Sequence, residues 1–259
     1  MSIDSISNYN ATTYTSLQQS LASGSRINTS ADDAAGKAVV TSLTTQIGQQ
    51  DIATRNANDG ISALQIADST GENIGNQLLR LGELATQAQN GTYSDAQRQT
   101  LNQEFQQGLQ AINQYVGQTS FNGINLLDGS QNTLSIGLGD STNALTFPNL
   151  TTNAQGLNGL DITSATNASN AYSSITTALE NLSTSRSQLG AQQNGLASSV
   201  ENLATQNVNA QSSRSQINDT DYAKALAQLS KQQVLEQSSV AMQAQSNQNR
   251  SNVLQLLQS

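Results

Sequence analysis

The side chains that most often carry enzyme chemistry are missing from this chain. Its 259 residues include no cysteine and no histidine. That removes disulfide frameworks, thiolate nucleophiles and metal ligands, the commonest general base and the commonest zinc ligand. Asp32 and Asp33 are adjacent carboxylates, but neighbouring residues on a helix point about 100° apart, so they cannot share one reacting atom as acid and base. They suit the positive end of a helix better. No phosphate-cradling glycine loop is present. Asn149 to Thr151 and Asn167 to Ser169 have the form Asn-x-Ser/Thr, which composition alone explains in a chain so rich in these residues, although Ser and Thr of the 130–170 segment could accept O-linked sugars. The expectation is a protein with no catalytic residues, no cofactor and no metal.

Composition narrows the class further. The formal charge is −8, so the phosphate backbone of a nucleic acid would be repelled. Only 35% of residues are hydrophobic and 3% aromatic, too few for one thick core. Leu, Ile, Val and Ala are interleaved with Gln, Asn, Ser and Thr, so each element can bury only a narrow stripe, as helices packed on helices do. Charged residues make up 11%, leaving a surface of neutral amides and hydroxyls that suits packing between identical copies. No run of about eighteen apolar residues exists to span a membrane. The opening residues MSIDSISNYNATT are neither basic nor apolar, so no cleavable secretory signal is expected and export would need another route.

The elements follow from periodicity. Tyr14, Leu17 and Leu21 predict a weak helix over 4–24 that needs a partner, ended by Gly24. Ser30 is expected to cap the next helix, with Asp32 and Asp33 in its first turn. From Ala34 to about Ala88 one long helix is predicted, with Val40, Leu43 and Ile47 on one face and an irregularity expected near Asp59 and Gly60. Gly71, Gly75 and Gly82 weaken it by roughly 1 kcal/mol each, a cost that close helix approach could offset. Ser94 and Gln97 form a capping box for a second, antiparallel helix presenting Leu101, Phe105, Ile112 and Val116. Phe121, Ile124 and Leu126, around a turn at Asn122 and Gly123, predict a hairpin, and Leu134, Ile136 and Leu138 repeat the alternation. Residues 139–170 read as the most variable surface loop. The strongest pattern is Ile175, Leu179, Leu182, Arg186, Leu189, Gln193, Leu196, Val200 and Leu203, a coiled-coil seam with polar interruptions on a helix from Ala171. A last helix, capped by Asp219 or Thr220, carries Leu226, Leu229, Val240 and Leu254 and is too polar to stand alone. The fold class expected is mainly α: long antiparallel helices in a coiled-coil-like bundle, a small β-hairpin region, and paired N- and C-terminal segments.

These residues resemble bacterial flagellin at both ends. The likeness runs through LASGSRINTSADDAAGKAV (21–39), RNANDGIS (55–62), LLRLGELATQAQNGTYSD (78–95) and GQTSFNGINLLDG (117–129), then LGAQQNGLASSVENL (189–203), SRSQINDTDYAKALAQLSKQQVL (213–235) and the closing NVLQLLQS. It covers roughly four fifths of the chain, in the family's order. The resemblance implies an inner filament-core domain from 1–32 and 218–259, a helical domain with its hairpin from 33–130 and 171–217, and a variable loop or small knob at 131–170 in place of large outer domains. The segment before LASGSRIN is about ten residues shorter than the family pattern. The zinc protease that some flagellins carry needs histidines, which are absent here.

The resemblance also implies a function and partners. The chain would polymerise into the extracellular flagellar filament for swimming, exported through the flagellar secretion apparatus in a largely unfolded form, with termini that stay mobile in the free monomer. Its partners would be itself, a flagellar export chaperone, and the filament cap and hook-junction proteins. The chaperone would take the last helix through Leu226, Leu229, Val240 and Leu254, which are equally filament-core contacts. Arg80, Leu84 and Glu104 match residues that contact a mammalian innate receptor, although Gly82 replaces a second arginine there. Ordinary packing is the preferred reading of these three. The alternatives are a hook-filament junction protein and a secreted adhesin or innate-immune ligand.

Overall fold

With a single proline, Pro148, the chain can satisfy its backbone groups within long helices. A computed structural model describes residues 3–258, with side chains over residues 12–253. Among the described residues there are five helices: α1 Ile3–Ser23, α2 Ala34–Gln89, α3 Asp95–Gln118, α4 Ala165–Asn218 and α5 Tyr222–Gln258. Two antiparallel hairpins lie between α3 and α4 in sequence, β1 Ser120–Phe121 with β2 Ile124–Asn125, and β3 Thr133–Gly137 with β4 Thr142–Thr146.

Helix ends follow local chemistry, with three departures from expectation. Gly24 ends α1 at φ +70°. The cap of α2 is Asp33, not Ser30: its carboxylate accepts from the Gly36 amide at 2.8 Å and its carbonyl from Lys37 at 2.9 Å. Asp32 instead accepts from the Asn28 and Thr29 amides, and those bonds, Thr29's first, hold its carboxyl below the usual range. Likewise α5 is capped by Asp221, which accepts from the Lys224 amide at 3.0 Å, rather than by Asp219 or Thr220. An Asp one to three residues nearer the helix can reach the N3 amide; the expected residues are too far back. The capping box of Ser94 and Gln97 is present as read.

The chain divides into two compact units, Met1–Gly48 with Asn207–Ser259, and Gln49–Gln206. The divisions fall inside α2 and α4, away from the expected boundaries at 32/33 and 217/218. In the second unit, α2 contributes Ala57, Leu64, Ala67, Ile74, Leu78, Leu81 and Ala85, and α4 contributes Ala171, Ile175, Ala178, Leu182, Leu189 and Leu196, to one buried cluster. Helix α3 runs back along α2: near its start Arg98 donates to the Ala88 and Asn90 carbonyls, and just past its end Thr119 bonds Thr70 at 3.0 Å. Phe105 and Ile112 complete that side of the cluster.

Helix α2 has no break at Asp59 and Gly60. Gly60 is there because the second hairpin and α4 come close: a Cβ at this position would lie 3.1–3.2 Å from Leu196, Ile136 and Leu145. Of the other helix glycines, Gly71 is tight, 3.3 Å from the Arg186 stem, whereas at Gly82 a Cβ would meet only Ile175 at 3.8 Å, so close approach explains the first and not the second.

The 131–170 segment is not a loose loop. Strand β4 pairs with β3 in the register Leu134↔Leu145, and Leu145, Phe147, Leu150, Leu157 and Ile162 are all buried. Amides pin the hairpin to both long helices: Asn56 donates to the Gly137 carbonyl, while Gln192 accepts from the Thr146 amide and donates to its carbonyl. Helix α4 then begins at Ala165, six residues before expected, because Ser164 caps it, accepting from the Asn167 amide at 3.1 Å.

Two glycine substitutions separate propensity from packing. Gly190 has nothing within 4 Å of a built Cβ, so Gly190→Ala should raise the stability of this unit by up to about 1 kcal/mol. Gly60→Val should lower it by roughly 1–3 kcal/mol through overpacking. Calorimetric melting of the three proteins checks both signs.

Candidate functional site

The surfaces through which the chain could meet others are best located by asking which helices have finished their burial. In the Gln49–Gln206 unit the seam of α4 has. Ile175, Leu182, Leu189 and Leu196 are at most 4% exposed, Leu179 and Val200 are half-buried against the cluster, and Leu203 is half-buried. The polar interruption at Arg186 has its own partners on α2. Its Nε donates to Asp68 at 2.8 Å and its guanidinium lies 3.7 Å from Glu72, and the Asp68 bond raises its pKa further. Gln193 is half-buried.

Arg80, Leu84 and Glu104 do not form one accessible patch. Leu84 is 2% exposed and part of the core. Arg80 and Glu104 are half-exposed and joined to each other at 2.8 Å, with Glu83 as a second partner of Arg80 at 3.0 Å. These carboxylates raise the arginine pKa, Glu104 most. Beside them Gly82 lines a groove with Leu79, Tyr172, Ile175 and Leu179. Without a side chain there, Leu79 and Tyr172 stay open to solvent.

The Met1–Gly48 and Asn207–Ser259 unit is different. Among the described residues its buried apolar side chains are Ile27, Val40, Ile47, Ala210 and Ala225, a thin core for so much helix. Helix α1 packs on α5, with Tyr14, Leu17 and Leu21 half-buried at the expected spacing. The stripe that α5 turns inward is Ala225, Leu229, Gln232, Ser239, Gln243 and Ser246, each buried or half-buried. It repeats at helical spacing but is mostly polar.

Apart from Leu229, the large apolar residues of α5 whose side chains are described lie outside that stripe. Tyr222, Leu226 and Val240 are 57%, 58% and 63% exposed, and Leu235, Met242 and Val253 are 44%, 70% and 55% exposed. At about 100° per residue the first three fall on one flank of the inward stripe and the second three on the other. Of the four anchors expected on this helix, Leu226 and Val240 are on the surface, Leu229 is half-buried, and Leu254 lies outside the residues whose side chains are described. The flanking positions of Leu235 and Met242 were not singled out from sequence, because a one-stripe search has no place for them.

Two arginines at helix ends were also missed. Neither α2 nor α4 has a basic residue in its last turn, yet Arg98, 9% exposed, donates to α2's final carbonyls, and Arg26 does so for α4 at Ile217. Among the described residues no helix is long and apolar enough to cross a membrane, and no group of three or more His, Cys, Asp or Glu could hold a metal.

Comparison with known proteins agrees at both ends of the chain. The bacterial flagellin N-terminal helical region matches residues 1–132 and the bacterial flagellin C-terminal helical region matches residues 172–257. A flagellin of Halalkalibacterium halodurans is 38% identical, over 92% of this chain and 90% of that protein. A flagellin of Listeria monocytogenes is 34% identical, over 95% and 92%. A flagellar filament 31.3 kDa core protein of Treponema maltophilum is 33% identical, over 93% and 91%. The crystal structure of Bacillus cereus flagellin superposes with a TM-score of 0.54 at 28% identity, covering 57% of this chain and 88% of that one. A structure described as a flagellar hook-associated protein from Vibrio parahaemolyticus gives 0.62 over 73% of this chain and 100% of that one. At 10% identity this is a likeness of fold alone.

The contrast between Leu84 and Arg80 can be measured. Leu84→Ala removes a buried side chain and should cost about 2–5 kcal/mol in urea unfolding. Arg80→Ala breaks only solvent-screened pairs and should leave the unfolding curve unchanged. Equal losses in the two variants would refute the placement of Leu84 as core.

Proposed function

The chain belongs to the bacterial flagellin family, a structural subunit of the extracellular flagellar filament, and from that premise we propose how its surfaces build the polymer. We assign the unit of Met1–Gly48 and Asn207–Ser259 to the inner filament core and the Gln49–Gln206 unit to the surrounding helical domain. Segment 131–170 is then a small packed knob in place of outer domains. The observation that carries this reading is the pair of exposed apolar flanks on α5. A helix that lacks cover on two sides needs two neighbours, and contacts between unlike patches that do not close give an open helix of subunits.

The same flanks support a role before assembly. A subunit exported in an unfolded form must be kept from sticking through these residues, and an amphipathic segment held in the groove of a chaperone achieves that. We place the export chaperone on residues 222–259 and the filament cap and hook-junction proteins at the two ends of the polymer, where one set of flanks would otherwise lack a neighbour.

Purified monomer added to sheared filament seeds should elongate them into helical filaments visible by electron microscopy. Val240→Glu, on an exposed flank, should leave the calorimetric melt intact and abolish elongation. Filaments of normal yield from this variant would refute the role of the flank. For the chaperone, deleting residues 222–259 should remove its co-purification with the chain, and undiminished co-purification would reject that assignment.

A further inference from the structure

The face that α5 turns toward α1 is mostly polar, so the packing of these two helices alone sets register weakly. A definite alignment comes from a short joint between the α1–α2 turn and the α4–α5 turn. Ser25 and Asp219 form an isolated antiparallel bridge. The Arg26 amide donates to the Asn218 carbonyl, and the Thr220 amide donates to the Gly24 carbonyl at 2.9 Å. Asn218 donates to the Ser25 hydroxyl at 3.0 Å. Gly24 is needed twice over, by its φ of +70° and because a Cβ there would lie 3.3 Å from the Tyr222 hydroxyl.

Arg26 is the cationic member of this joint. Its Nη2 and Nε both donate to the Ile217 carbonyl, at 2.6 and 3.2 Å, and Asp33 lies 3.8 Å from the guanidinium. Ile217 sits at the C-terminal end of α4, where carbonyls have no partner within the helix and the macrodipole is negative. Helix α4 supplies no basic residue in its last turn. The cation therefore comes from a residue 191 positions earlier in the chain, and the place where it binds is the place where α5 departs.

We propose that Arg26 is a positioning residue for assembly: by capping α4 from the N-terminal turn, it fixes the point from which α1 and α5 run side by side, and so the register in which α5 presents its apolar flanks to neighbouring subunits. This rests on the filament reading above. The guanidinium is about half-exposed, so its effect is moderate.

The test compares Arg26→Ala and Arg26→Lys in the full chain. Expected for Arg26→Ala is an unchanged melting transition of the Gln49–Gln206 unit with a critical concentration for seeded elongation raised by roughly 3- to 10-fold. Arg26→Lys, which keeps the charge and loses the fork, should fall between it and the parent. Elongation of Arg26→Ala at the parental critical concentration overturns the proposal, as does a comparable fall in the melting of the Gln49–Gln206 unit, which would make Arg26 a general folding residue. If the parent itself does not elongate seeds, the filament reading fails on its own. The Arg26 assignment is then decided by hydrogen exchange at the Arg26 and Thr220 amides, which should quicken in Arg26→Ala and would refute it by staying unchanged.

Discussion

The supply of apolar surface is the constraint from which the rest of this molecule follows. Hydrophobic burial is worth about 25 cal/mol per Å², and ordering each residue costs on the order of 1–2 kcal/mol of backbone entropy. A helix without a full apolar stripe therefore cannot hold itself in place. In the Gln49–Gln206 unit, α2, α3, α4 and the second hairpin all converge on one cluster that runs from Ala57 to Leu196. In the other unit α5 lays Gln232, Ser239, Gln243 and Ser246 inward and keeps Leu226, Val240, Leu235 and Met242 outward. The apolar residues of α5 are not scarce. Most of the large ones described are on the surface, leaving the inward stripe mainly polar.

Several of this chain's few charges sit at helix ends and across the α2–α4 seam. Asp33 and Asp221 satisfy amides at the starts of α2 and α5, and Asp161, whose carboxyl is held below the usual range first by the Thr163 hydroxyl and then by the Asn167 amide, orders the turn that leads into α4. Arg98 and Arg26 satisfy carbonyls at the ends of α2 and α4. Arg186 spans the seam to Asp68. Elsewhere amides do the joining, as Gln192 does along β4 and Asn56 at Gly137. A surface left mostly neutral by this arrangement brings few like charges together when copies pack, so the low charge content and the ordered helix ends are two sides of one solution.

What could be read from sequence was what repeats. Val40, Leu43 and Ile47, the seam from Ile175 to Leu203, the Ser94 capping box and the Asn-Gly turn at Asn122 each carry a local signal that survives folding. The misreadings share a cause. Leu145, Phe147, Leu150, Leu157 and Ile162 are buried but irregularly spaced, so a periodic search sees only the Asn, Thr and Gly between them. Gly60 looked like a helix defect because the side chains that fill its space lie about 76 to 136 residues away in sequence, at Ile136, Leu145 and Leu196. Arg26 and Arg98 gave no signal, since a cap supplied from another segment breaks no local rule. On α5 the anchors Leu226 and Val240 were legible as apolar residues, while their exposure was not. That depends on which face α1 takes.

The geometry of α5 also decides what kind of association is open to it. One exposed flank could be covered in a closed two-fold dimer, in which the same patch meets itself and growth stops. Here Tyr222, Leu226 and Val240 lie on one side of the inward stripe, while Leu235, Met242 and Val253 lie on the other, so two separate contacts are needed when neighbours pack from either side. In the assembly proposed above, covering the first flank leaves the second free to take the next copy, so each addition recreates the surface it consumed. The tightly closed core of the Gln49–Gln206 unit makes no such demand. A hook-associated protein shares the fold at 10% identity, so the fold by itself does not account for the exposed flanks of α5, which belong to this sequence.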